Sequence, residues 1–159
     1  MLTFECISQF PRGTLADHLA DAYSFSADCR TYWAQDWREY DDFFFAHPRI
    51  ADRCGFVTVL DGMPVGHITW DPRSAPDLVI LGHNCIRTAY KGQGLGKAQL
   101  QEAIRRIRMT GARRITVTTN ALLLPAQRNY EGAGFIRQGE RENTETPFAG
   151  SYIDYELML

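Results

Sequence analysis

A mixed α/β fold, with about six or seven strands in one sheet and about four helices around it, is predicted by three observations. Two β-rich runs flank Asp61-Gly62, a dipeptide that favours a tight hairpin turn. A third β run, Leu78 to Ile86, leads through a glycine-rich turn into an amphipathic helix and then into a β-branched strand, which is the order of a parallel crossover. The 159 residues are 45% hydrophobic and 23% charged, values that suit one domain with a full core and no need of metal or disulfide staples.

In chain order, Leu2 to Gln9 reads as a first strand, broken by Pro11-Arg12-Gly13. Thr14 to about Ser24 reads as a short helix with Leu15, Leu19 and Tyr23 on one face, and Ala27 to Phe45 as a second. The second carries Tyr32, Trp33, Trp37, Tyr40 and Phe44 at helical intervals, with Asp36, Glu39, Asp41 and Asp42 among them. Gly55 to Leu60 and Val65 to Trp70 make the hairpin. Leu95 to Thr110 is the clearest helix, because Leu100, Ala103, Ile104 and Ile107 share a face and Gly111 stops it. Arg114 to Thr119 is a β-branched strand, and Pro125 opens a short helix to Ala133. Ile136 to Glu142 and Tyr152 to Leu159 close the chain as strands, joined by a polar loop containing Pro147 and Gly150.

A formal net charge of −2 gives no electrostatic reason to expect nucleic acid or an anionic membrane as partner. The basic cluster Arg105, Arg106, Arg108, Arg113 and Arg114 falls on the last turns of a helix and just after, where cations complement the dipole. Cys6, Cys29, Cys54 and Cys85 form no C-x-x-C pair, which argues against a zinc site and a secreted disulfide framework. No bound metal is expected. Scattered thiols and the absence of an apolar run long enough to span a bilayer make cytoplasmic the expected location.

The most informative stretch is Ile86 to Gly96, with Gly92, Gly94 and Gly96 at alternating positions between a strand and a helix. Glycines let the backbone turn tightly, and the following helix then aims unpaired N–H groups and its positive dipole end at an anion. Phosphate is the expected ligand. A dinucleotide fingerprint requires a longer last interval, and a Walker loop requires an earlier glycine and a hydroxyl where Lys91 and Ala98 stand. A ligand-free glycine-rich turn is the plain alternative.

Lys91, Gly94 and Gly96 fall on the Gln/Arg-x-x-Gly-x-Gly/Ala core of the pyrophosphate-binding segment of the GNAT superfamily, the acyl-CoA-dependent N-acetyltransferases, which this segment resembles. A second segment agrees: Ala126, Tyr130, Gly134 and Phe135 in PAQRNYEGAGF match the family's next helix in order and spacing. The resemblance covers about half of the chain, from the strand before Ile86 to Phe135. Three positions depart from the pattern. Lys91 keeps the charge without arginine's planar fork, Thr88 stands where proline is common, and Leu123 replaces a frequent asparagine for which Asn120 is the nearby candidate.

The resemblance implies a centrally splayed sheet and direct transfer of acetyl from acetyl-CoA, as co-substrate, to an amine on a small molecule or peptide. It implies that the N–H groups of Gln93 to Lys97, flanked by Gly92 and including Leu95, hold the pyrophosphate with help from Lys91 and Lys97. Asn120 and Ala126 would line the cofactor arm, and a backbone N–H around Cys85 and Ile86 would stabilise the developing oxyanion. Tyr130 would stabilise the leaving thiolate, or else simply pack the core. His83 is the best-placed base, or a histidine satisfied by backbone. Tyr32, Trp33, Asp36 and Tyr152 would border the acceptor, although aromatics at helical spacing also make ordinary core. A second reading, an acyl-CoA-binding sensor or regulatory module with little activity, stays open, as does pairing into a homodimer.

Overall fold

The computed structural model describes all 159 residues. Seven strands form one sheet: β1 (Leu2–Glu5), β2 (Gly55–Leu60), β3 (Met63–Asp71), β4 (Val79–Ile86), β5 (Arg114–Asn120), β6 (Ile136–Arg141) and β7 (Tyr152–Met158). Their spatial order is β1-β2-β3-β4-β5-β7-β6. Neighbours are antiparallel except β4 and β5, which are joined by the crossover through a helix. The helices are α1 (Thr14–Ala22), α2 (Ala27–Ala46), α3 (Pro48–Arg53), α4 (Leu95–Met109) and α5 (Leu124–Gly132).

The decisive irregularity lies between β4 and β5. They pair at Val79 with Ile115 and Ile80 with Thr116, and nowhere beyond. From Leu81 onward β4 keeps its antiparallel partner β3, while β5 keeps β7 along its whole length from Arg114 to Asn120. Two well-paired half-sheets therefore diverge from a short common seam, as a splayed sheet requires. A register shift in β3 between Ile68 and Trp70 bends the same region, since a bulge increases local twist.

The main core joins both halves. Phe56, Ile68, Ile107, Ile115, Ile153 and Tyr155 are each at most 2% exposed and belong to one cluster. α4 contributes Leu100, Ala103, Ile104 and Ile107 to it or beside it, the face its periodicity foretells. α1 and α2 are locked by Asp41, 2% exposed on α2. Its carboxylate accepts from the N–H groups of Gly13 (2.7 Å), Leu15 (2.9 Å) and Ala16 (3.1 Å), so one acid satisfies the otherwise unpaired start of α1.

Three differences from the sequence reading stand out. β1 stops at Glu5, because Ile7–Gln9 turns into a short 3-10 helix whose Ile7 is fully buried. α1 ends at Ala22 rather than near Ser24. α3 is an additional helix of six residues, too short to carry a periodic signal, started by Pro48 in its first turn and burying Ala51.

Candidate active site

At the splay the sheet opens into a cavity of about 570 Å³ lined by residues of α2, β3, β4, β5, α5 and the β6–β7 loop. His83, Asn84, Asn120, Ala126, Tyr130, Trp33 and Tyr152 all line it. Arg87 N–H donates to Val65 O of β3 (2.8 Å), so the alternation along β4 turns the N–H groups of Cys85 toward β3 and of Ile86 toward the open edge. The Cys85 side chain is buried with Leu19, Ala22 and Trp37, and burial pushes its thiol up to about 12. It is a packing residue.

The glycine turn leads into α4 where the sequence places it. Gly92 and Gly94 sit at φ +77° and +79°, the left-handed region open to glycine, and α4 begins at Leu95. The first backbone hydrogen bond of the helix runs from Ala98 N–H to Gly94 O (3.1 Å), which leaves the N–H groups of residues 92 to 97 without a protein acceptor. Leu95 anchors this end by packing with Val65 and Ile86. A Cβ at Gly96 would lie 2.8 Å from Asn129 Nδ2, the tip of an α5 side chain that would have to turn aside. Lys97 is exposed beside the cradle. Lys91 is engaged elsewhere, with Nζ donating to Ala22 O at the end of α1 (2.8 Å) and lying 5.7 Å from the Phe25 ring centroid. Gln93 also bonds locally, to Ala89 O (3.4 Å).

Tyr130 is 5% exposed on α5, its ring braced by Phe135 and Tyr155 at centroid distances of 5.5 and 5.9 Å. Its hydroxyl oxygen accepts from Asn84 Nδ2 (3.3 Å), which leaves the hydroxyl proton free to donate. Burial raises its pKa above the ordinary tyrosine value, so it is a neutral donor at any working pH. Asn84 is oriented in turn. Its Oδ1 accepts from Gln99 Nε2 (2.7 Å), which also donates to His67 O (2.9 Å), while Gln99 Oε1 accepts from Thr58 Oγ1 (2.6 Å). Gln99 is fully buried on α4 and in line with Leu95, Ala103 and Ile107. The sequence reading passed over it, although a polar residue on the apolar face of an otherwise regular helix is the signal that marks it.

His83 lies edge-on to Tyr40, ring centroids 4.6 Å apart. Burial lowers its pKa to about 4, with Asp36 pulling weakly upward, so the imidazole is neutral near pH 7. Tyr40 shares a hydrogen bond with Thr69 Oγ1 in the β3 bulge (2.8 Å), and burial holds its pKa well above normal. Asn120 spends its amide on structure: Oδ1 accepts from Leu122 N–H (2.8 Å) and Nδ2 donates to Gly150 O (3.2 Å). Leu123 lines the cavity directly before α5.

The expected acceptor residues divide. Trp33 and Tyr152 line the cavity, whereas Asp36 is exposed outside it and Tyr32 reaches across to the β6–β7 loop, its hydroxyl donating to Glu145 O (3.1 Å). Asn143, Thr146 and Phe148 of that loop line the cavity too and were missed, since a polar loop without a motif gives no positional signal. No group of three or more His, Cys, Asp or Glu side chains is placed to hold a metal ion. No helix is long and apolar enough to cross a membrane.

The sequence matches the acetyltransferase (GNAT) family over residues 14–135. The chain belongs to this family. Among curated proteins, this GNAT chain is 29% identical over 94 residues to the N-acetylaspartate synthetase of Danio rerio, an alignment covering 59% of the chain and 33% of that longer protein. Among solved structures it resembles an N-acetyltransferase from Staphylococcus aureus Mu50, with TM-score 0.81 and 18% identity over 99% of this chain and 98% of that one. The PaiA N-acetyltransferase of Thermoplasma acidophilum, solved with coenzyme A, gives TM-score 0.79 and 14% identity over 100% and 99% of the two chains. At these identities the likeness is one of fold.

Proposed function

We propose that residues 1–159 act as one N-acetyltransferase domain that moves acetyl from acetyl-CoA directly to an amine, with both substrates held at once. The observation that carries this reading is the meeting of three features at the splay: unpaired N–H groups on the cradle, an open β4 edge, and the Tyr130 hydroxyl with its proton free. When bound, acetyl-CoA supplies the activated acetyl group, and the N–H groups of Gly92 to Lys97 with exposed Lys97 hold its pyrophosphate. Lys91, tied to α1, fixes the turn.

The chain's own residues then meet three needs. An alkyl amine near pKa 10.4 is neutral only about once in 2500 molecules at pH 7, a cost of about 4.6 kcal/mol. The ring-walled cavity lowers that pKa by withholding water from the ammonium form. His83 is too weak a base to strip a free ammonium, but it is neutral and able to accept the proton that the nitrogen sheds once it has bonded to carbon. Ile86 N–H stabilises the oxyanion from the open β4 edge. Tyr130 donates a hydrogen bond to the departing sulfur; full proton transfer is uphill by about 2 kcal/mol from ordinary values, and its raised pKa makes it more so.

The aspartate in the name of the Danio rerio relative is not carried over, because no lysine or arginine lines this cavity to meet a carboxylate. Thiol release from acetyl-CoA with a panel of amines tests the reading: turnover with at least one amine is expected, and CoA binding without turnover for any would make the chain a sensor instead. Tyr130→Phe should lower kcat by about 10 to 1000-fold, with acetyl-CoA affinity little changed, because only a transition-state hydrogen bond is lost. An unaltered kcat, with chemistry rate-limiting, would remove Tyr130 from the reaction.

A further inference from the structure

The acceptor side of the cavity is walled by rings. Tyr23, Trp33, Trp37, Tyr40, Phe44 and Phe148 line it, with Tyr23 and Trp37 5.5 Å apart and Trp33 6.5 Å from both Trp37 and Phe148, centroid to centroid. Fixed charge is almost absent. Asp71 is the one lining residue that carries a formal charge at neutral pH, and Arg73 already holds both its oxygens through Nε (2.9 Å to each) and a terminal nitrogen (2.6 Å). A carboxylate on the acceptor would find no cation here, and a second ammonium no free anion. Either would be stripped of water without compensation.

The same wall is roofed. The Tyr32 hydroxyl donates to Glu145 O (3.1 Å), and the Phe148 ring sits against Trp33 and, edge-on at 6.0 Å, against Phe25. The β6–β7 loop is thereby fastened across α2. A peptide presenting its N-terminal amine has main chain continuing from the carbon that bears it, and the loop contacts across α2 leave that chain less room than an open groove would. A compact molecule need not break them.

We propose that the acceptor is a compact primary amine whose body is an aromatic or apolar group on a short uncharged chain, enclosed between α2 and the β6–β7 loop. The inference rests on the acetyl-transfer reading and narrows it to a substrate class. In the step, the amine nitrogen bonds to the acyl carbon as the carbon–sulfur bond breaks, the sulfur leaves with the electron pair, and the proton shed by nitrogen ends on the thiol. Nothing is oxidised or reduced.

The test compares 2-phenylethylamine, aspartate, spermidine and tetra-alanine in thiol release, with calorimetry of 2-phenylethylamine on the CoA-saturated protein as a readout independent of turnover. The expected kcat/KM for 2-phenylethylamine exceeds that of each other amine by about 100-fold or more, the scale set by burying unpaired polar groups. Phe148→Ala should raise its KM about tenfold or more while leaving kcat and CoA affinity within about threefold, and Trp33→Leu should do the same from the helix side. Faster turnover of aspartate, spermidine or the peptide would overturn the substrate class and leave acetyl transfer standing. Calorimetric binding of 2-phenylethylamine with no thiol release from any amine would support the class and overturn the transfer reading. No detectable binding of 2-phenylethylamine would overturn the class outright.

Discussion

Tyr130 owes its orientation to a series of hydrogen bonds that begins at Gln99, buried outside the cavity, and passes through Asn84 in its lining. Gln99 donates to Asn84, and Asn84 donates to the Tyr130 oxygen, so the direction of every hydrogen bond in the series is set from the buried end. Because an amide offers both donor and acceptor, Thr58 at one end of Gln99 fixes which end faces Asn84. Gln99→Leu keeps similar volume but strands the Thr58 hydroxyl and Asn84 Oδ1. It should lower stability by about 1–3 kcal/mol and, by freeing Asn84 to rotate, lower kcat more than it alters KM for the amine. Gln99→Glu separates the two effects, since it retains the acceptor for Thr58 and reverses the bond to Asn84. Stability loss in Gln99→Leu with kcat unchanged would show Gln99 to be a core residue and no more. Tyr130 itself was legible in the sequence through its spacing from Ala126 and Phe135, whereas Asn84 and Gln99 come together only through folding, 15 residues apart on a strand and a helix.

The cradle works at the scale of one element, the start of α4. Nothing lies within 4 Å of a Cβ added at Gly94, so the protein itself does not forbid a side chain there; the +79° φ does, and so would a ligand drawn onto the N–H groups. Gly94→Val should weaken CoA binding by at least about 100-fold while costing only about 1–2 kcal/mol of stability, the usual strain of a left-handed non-glycine residue. Calorimetry that returned the same CoA affinity for both proteins would dismiss the cradle. The start of α4 could be read from sequence because glycine placement is a local requirement, and the hairpin around Asp61-Gly62 was readable for the same reason. α3 was not, since six residues give no period, and the split of Ile7–Gln9 from β1 depends on tertiary burial of Ile7. The acceptor wall was half legible. Trp33 and Trp37 advertised a ring stripe, but Phe148 joins it from a loop more than 100 positions away, and only the fold brings the two together.

Across the molecule, buried histidines tie stability to pH. His18 is 3% exposed, with its pKa lowered to about 4 chiefly by burial and then by Arg87, and burial holds His67 well below its ordinary value. Their Nδ1 atoms are 3.2 Å apart, and His18 is hydrogen-bonded to the Pro64 backbone, which can only accept. Cys85 Sγ stands 3.5 Å from the same His67 nitrogen, and burial keeps both rings neutral. In the unfolded chain each histidine takes up a proton below about pH 6.5, while the folded His18 resists until about 4. The unfolded state thus binds more protons in that window, and stability is complete above it and falls as pH drops through it. Between pH 7 and 5 His18 alone should cost about 2 kcal/mol, before most carboxylates titrate. Urea midpoints that coincide at the two pH values would contradict this assignment.

The seam between β4 and β5 also has a mechanical consequence. With backbone pairing confined to Val79–Ile115 and Ile80–Thr116, the two half-sheets meet like the blades of shears near their pivot, and a small rotation there becomes a larger change of gap at Ile86 and Asn120. Leverage of this kind would let a rigid, fully paired strand on each side grip and release what lies between without either strand unfolding. Amide exchange should then be slow along β5, paired throughout with β7, and quicken at the β4 amides facing the gap, with CoA slowing the latter first. Uniform protection across both strands in the free protein would mean that the blades are welded.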